Sequence, residues 1–139
     1  MTPPAQPFSW PIRVYYEDTD AAGIVYYANY LRFFERARTE WLRALGVSQQ
    51  QLAAEHQRQF VVVQADVSFL KPARLDDALV ATAAIAERAR SHLTFAQELL
   101  RGGELLARAR VQVACVDRSG LAPRRLPESI LQHLPATTA

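Results

Sequence analysis

The chain has 139 residues, half of them hydrophobic, a formal charge of only +2 and a single cysteine. That describes one domain with enough apolar material for a core, and it implies no strong field for nucleic acid or an anionic membrane. A lone cysteine excludes an internal disulfide and argues against a structural zinc site.

Prolines at 3, 4, 7 and 11 mark residues 1–9 as a flexible arm ahead of a domain over 10–134, with 135–139 as a tail. The start, "MTPPAQPFSWP", has neither the basic nor the apolar region of a secretory leader. No stretch reaches the roughly 20 apolar residues that span a bilayer, so a cytoplasmic location is expected. "PIRVYYE" (11–17) alternates and is rich in β-formers, which predicts a strand. Residues 18–23 read as a loop closed by Gly23. From Tyr27 to Leu45 the apolar residues Leu31, Phe34, Ala37, Trp41 and Leu45 recur at three- and four-residue steps. This predicts one long amphipathic helix, which Gly46 ends. "VSQQQLAAEH" adds a short helix with Ser48 as its N-cap.

Beyond residue 58 the period becomes two. "FVVVQADVSFLK" (60–71) predicts a strand halted by Pro72. The alanines of "ALVATAAIAERA" (78–89) favour a helix, but its place between sheet partners with short connections favours a strand. "HLTFAQELLRG" (92–102), a Gly102-Gly103 turn and "ELLARARVQVACVD" (104–117) predict a hairpin. Cys115 lies in that last alternating run and reads as a buried, inert thiol. "PESILQHL" closes the chain as a short helix opened by Pro127. Strand, long helix and antiparallel meander make an α+β architecture in which a sheet covers one helix.

Several chemistries have no residues to run them. There is no G-x-S-x-G, no P-loop and no dinucleotide-binding glycine pattern, and His56, His92 and His133 lack ligand spacing. Catalysis, if present, falls to carboxylates. "EDTDAAGIVYYANY" (17–30) sets Glu17, Asp18 and Asp20 just ahead of the long helix. Unpaired amides and the macrodipole at a helix start favour an ionised carboxylate there, and the same amides can stabilise an oxyanion. The competing reading is that Asp18 or Asp20 merely caps the helix.

The string "YYEDTDAAGIVYYANYLRFFERARTEWLR" (15–43), followed by "PARLDD" (72–77) and "CVDRSGLAPRRLPESI" (115–130), resembles the hotdog-fold thioesterases of the 4-hydroxybenzoyl-CoA thioesterase superfamily. Within it the pattern is most similar to the YbgC-type, Tol–Pal-associated acyl-CoA thioesterases. The resemblance implies an antiparallel sheet wrapped around one long central helix and joined to a second subunit as a continuous sheet. It implies that Asp20 is the catalytic carboxylate, that Gly23 lets the chain turn tightly into the helix, and that the N–H near Tyr27 binds the thioester oxygen. Many relatives carry His where this chain has Tyr27, a change that a backbone N–H survives. Asp18 is expected to fix the loop by hydrogen bonds. Glu35, with Arg32 and Arg38 three residues to either side, reads as part of a solvated, salt-bridged face. Arg74, Arg88, Arg90, Arg124 and Arg125 are candidates to grip CoA phosphates.

The reading is an acyl-CoA thioesterase that needs no metal or cofactor: water hydrolyses the thioester, with Asp20 as nucleophile or general base. A thiolate leaves readily, so no general acid is obligatory. A hotdog hydratase would pair an Asp with a His, and no histidine precedes His56. From a different class, a non-catalytic module that binds acyl-CoA or acyl carrier protein also fits the fold, although Asp20 and Gly23 count against it. The expected partners are acyl-CoA, acyl carrier protein as a further candidate, and copies of the chain itself in a homodimer or homotetramer; nucleic acid is not expected.

Overall fold

The computed structural model describes residues 7–134. Among them, β1 (Phe8–Arg13) leads to a long helix α1 (Asn29–Ala44) and a short α2 (Gln49–His56). Then come β2 (Arg58–Phe69), β3 (Ala78–Arg88), β4 (His92–Arg101), β5 (Glu104–Asp117) and a single turn of helix, α3 (Glu128–Leu131). The strands form one antiparallel sheet in the order β1-β3-β4-β5-β2. Only β3, β4 and β5 make the expected meander. β2 crosses to the far edge and pairs with β5, from Arg58↔Asp117 to Phe69↔Ala107. Periodicity shows that a segment is a strand but not which neighbour it takes.

β1 begins at Phe8, inside the expected arm, and ends at Arg13 rather than at residue 17. Pro11 sits within it, opposite Val80, because β1 is an edge strand and a missing N–H there costs no ladder bond. After Val14 the chain leaves the sheet for a 3-10 turn over Tyr16–Asp18. Residues 1–6 and 135–139, which include most of that arm and all of the tail, lie outside the described residues.

α1 starts two residues later than its apolar pattern suggests. It buries Tyr30, Phe33, Phe34, Ala37, Trp41 and Leu42, whereas Leu31 stays exposed. Gly46, at φ +85°, ends it where a left-handed residue is needed. The helix lies principally on β1, β3 and β4, and α2 packs on β2. Ala81 and Ala83 of β3 are buried in this core, so the alanines that make β3 read as helix are small spacers that let α1 approach the sheet. Trp41 stands edge-on to Phe95 with centroids 5.5 Å apart. Gln97 of β4 is fully buried and ties helix to sheet. Its Nε2 donates to the Phe34 carbonyl (3.0 Å) and the Thr82 carbonyl (2.9 Å), and its Oε1 accepts from Arg38 (3.0 Å). Cys115 is buried too, and desolvation pushes its thiol up. The result is the α+β hotdog architecture, a sheet wrapped around one long helix.

Candidate active site

The two aspartates of "EDTD" have different lives. Asp18 is buried, and its Oδ2 accepts the Tyr15 amide at 2.8 Å. The Asp18 carbonyl accepts from the Tyr26 amide and from the Asn29 side-chain amide, each at 2.9 Å. Asp18 therefore stitches the loop to the start of α1. Asp20 is exposed. Its Oδ1 accepts the Ala22 amide at 2.8 Å, a local turn that fixes the side chain. Its other oxygen has no hydrogen-bond or ion-pair partner among the described residues. Asp20 N donates to the Ile24 carbonyl (2.9 Å), and Gly23 N donates back to the Asp20 carbonyl (3.0 Å). Gly23 holds φ +79°, a region that side chains resist. Its turn folds the Asp20 loop onto itself, six residues ahead of α1, rather than steering the chain directly into the helix.

Neither carboxylate caps α1. Ala28 occupies the cap position with helical backbone and no side-chain bond. The amides of Asn29, Tyr30 and Leu31 are taken by the carbonyls of Tyr26, Tyr27 and Ala28, at 2.8, 3.2 and 3.2 Å. The amides of Tyr27 and Ala28 have no partner among the described residues, which leaves donors for a ligand oxygen at the positive end of the helix. Tyr27 is 63% exposed, with its ring edge-on to Phe69 at 6.2 Å and tilted against Tyr26 at 5.0 Å.

The segment between β2 and β3 backs this loop. Val25 N donates to the Ala73 carbonyl at 2.8 Å, and Ile24 pairs with Arg74 as an isolated bridge. The buried Ala73 amide donates to the Tyr30 hydroxyl at 3.0 Å. Asp77 then closes the segment by accepting the Arg74 amide at 2.9 Å. Burial pushes the Asp77 carboxyl up, but the Arg74 amide and the Arg101 guanidinium outweigh it and hold it below the usual carboxylate range. Asn29, Tyr30 and Asp77 were not singled out as site residues from the sequence. "PARLDD" marked the segment, but nothing in its letters says which loop it supports.

Glu35 is exposed yet makes no ion pair among the described residues; its Oε1 accepts from Thr39 at 3.2 Å. The expected salt-bridged face is absent because Arg38 turns inward to Gln97, and Arg32 reaches back to Asn29 Oδ1 at 3.5 Å. Glu35 and Arg38 instead rim a cavity of about 130 Å³ whose walls include Leu42, Phe60, Leu93 and Phe95. The five arginines do not converge. Arg74 adjoins the Asp20 loop. Arg88 and Arg90 lie at the other end of β3, where Leu126 N bonds the Arg90 carbonyl and brings the Arg124–Arg125 segment alongside. An 11-residue strand, about 35 Å long, separates the two ends. Among the described residues, no group of His, Cys, Asp and Glu could hold a metal, and no helix is long and apolar enough to cross a membrane.

Comparison with known proteins decides the family. The profile of the Thioesterase-like superfamily matches residues 14–134. The chain belongs to that superfamily. It is 46% identical over 123 residues to the acyl-CoA thioesterase YbgC of Haemophilus influenzae, covering 88% of this chain and 90% of that one. It is 49% identical over 125 residues to the acyl-CoA thioester hydrolase YbgC of Escherichia coli O157:H7, covering 89% and 92%. Among solved structures, a probable thioesterase from Bartonella henselae superposes with a TM-score of 0.82 at 36% identity, covering 86% of this chain and 98% of the other. Within this superfamily member, Asp20, Gly23 and Tyr27 share one loop, with Asp18 and Asn29 fastening it to α1.

Proposed function

We propose that the protein hydrolyses acyl-CoA thioesters, with the Asp20 carboxylate as nucleophile or general base and the Tyr27 amide as the donor that polarises the thioester carbonyl. The observation that carries this reading is the contrast between the aspartates: Asp18 is buried and committed to the loop, while Asp20 is exposed with one oxygen unpartnered. A carboxylate free of ion pairs keeps its lone pairs for water or for the thioester carbon. A free amide at a helix start is worth most where negative charge develops on the carbonyl oxygen as the acyl carbon is attacked. No general acid is needed, because the thiolate leaves unaided. The names of the relatives support acyl-CoA as the substrate class.

The subunit is read as half of a larger sheet. β2 is an edge strand that exposes Val62, Val63 and Phe69, and Leu31 and Tyr27 are exposed on α1 and the loop before it. Natural proteins cover such an edge, and a two-fold pairing of β2 with its copy would cover it in a homodimer, alone or within a tetramer. Antiparallel pairing sets the Phe69 end of one subunit beside the Arg58 end of the next. The Asp20 end would then face its neighbour's arginine-rich end, where CoA phosphates can be met. A cytoplasmic setting, an acyl carrier protein as alternative thioester donor and a link to the Tol–Pal system are further parts of this reading, supported by the YbgC-type resemblance. The purified protein is expected to release free thiol from at least one acyl-CoA, to do so unchanged in chelator, and to run as a dimer or tetramer by light scattering. Turnover abolished by chelator and restored by zinc or magnesium would contradict it.

A further inference from the structure

Arg101 ends β4, immediately before the Gly102-Gly103 turn, and its guanidinium meets three oxygens. Nη1 donates to Asp77 Oδ2 at 2.7 Å and to the Pro72 carbonyl at 3.2 Å, and Nη2 donates to Glu104 Oε1 at 2.8 Å. Lys71 Nζ takes the second Glu104 oxygen at 2.8 Å. Arg101 thus grips both ends of the 72–77 segment, Pro72 and Asp77, from a rigid strand. The middle of that segment is what the Asp20 loop leans on, through Val25 N to the Ala73 carbonyl and through the Ile24–Arg74 bridge. Ile24 in turn accepts the Asp20 amide at 2.9 Å. Guanidinium to segment, segment to Ile24 and Val25, and Ile24 to Asp20 make three bonded steps.

We infer that Arg101 is a positioning residue for thioester hydrolysis: by clamping the 72–77 segment it fixes where Asp20 stands relative to the Tyr27 amide. The inference rests on the reading of Asp20 as the reacting carboxylate. Partly exposed ion pairs such as these contribute little to global stability, whereas a displacement of about 1 Å at a reacting group can cost on the order of 100-fold in rate. The clamp should therefore show in turnover far more than in melting. Planar geometry matters as well. A lysine at this position can hold one oxygen but cannot fork to Asp77, Glu104 and Pro72 together.

The test compares wild type, Arg101→Met, Arg101→Lys and Asp20→Asn, reading kcat and KM on an acyl-CoA that the wild type turns over, with amide hydrogen exchange across the chain. Arg101→Met is expected to lower kcat by about tenfold or more with KM nearly unchanged, and to speed exchange selectively in residues 19–28. Arg101→Lys should recover part of both. Unchanged kcat and unchanged exchange in Arg101→Met would overturn the inference, as would a loss of kcat that comes with faster exchange everywhere. Activity lost in Asp20→Asn but kept in Arg101→Met would overturn this inference alone. Full activity in Asp20→Asn would overturn the reading of the site and this inference with it.

Discussion

Tyr27 presents two donors to a ligand, its backbone N–H and its phenol, and they make different demands on the site. The amide belongs to a helix start that presents N–H groups whatever side chain is attached. The phenol is at the end of a largely exposed ring that rests on Phe69 and Tyr26. If the amide holds the oxyanion, Tyr27→Phe should keep nearly all of kcat, and steady-state kinetics on a folded variant checks it. A loss on the order of 100-fold, the size expected for a missing oxyanion donor, would move the role to the hydroxyl. At this scale the sequence was legible where chemistry is local. The D-x-D-x-x-G spacing pointed to the loop, and the loop is where the free carboxylate and the free amides are found. What it could not show was the division of labour around it. Tyr30 falls outside the apolar pattern read for the helix, yet it is buried and its hydroxyl accepts the buried amide of Ala73, 43 residues away. Glu35 and Arg38 read as an ion pair by spacing, and the need of buried Gln97 for a donor wins instead.

Among the elements, α1, α2 and the last four strands were legible to within about two residues, from periodicity and turn chemistry except in β3, whose alanines left its place between sheet partners to decide. β1 was displaced because its proline is tolerated only by virtue of an edge position, which is a property of the sheet and not of the segment. For the connection from β2 to β3 the sequence offered the stop at Pro72 and the string "PARLDD", but not that Arg101 clamps the segment at Pro72 and Asp77. Two carboxylates bound to Arg101, Asp77 in that segment and Glu104 at the start of β5, lie below their usual range. Glu104 is lowered chiefly by the hydrogen bond from Lys71 and then by that from Arg101, and in Asp77 the Arg74 and Arg101 contacts overcome the upward push of burial. A carboxylate whose folded pKa is depressed adds stability above its unfolded value, about 4, and loses it as pH falls through the folded value. The melting-temperature gap between wild type and Arg101→Met should therefore be widest near neutrality and shrink as pH is taken below about 4. A gap that stays constant down to pH values near 2.5 would mean that these charges do not couple to folding.

The whole molecule turns a weak local signal into a site. A lone D-x-D is more often a helix cap than a catalytic pair, and only the fold separates the two outcomes: it leaves α1 uncapped by either aspartate, buries Asp18 and leaves Asp20 open to solvent. The sheet order, with β2 carried to the far edge, leaves exposed Val62, Val63 and Phe69 together with Tyr27 and Leu31, the surface on which the proposed second subunit would pack. The order was illegible in the sequence because pairing partners are chosen by the three-dimensional closure of the sheet around α1. The central claim is that the free carboxylate of Asp20 performs the chemistry while Asp18 builds the loop. Its most direct test is the kcat of Asp20→Asn and Asp18→Asn on the same acyl-CoA. The account predicts a fall of about 100-fold or more for Asp20→Asn with KM little changed, and a clearly smaller fall for Asp18→Asn. Retained turnover in Asp20→Asn, or equal losses in the two variants, would contradict it.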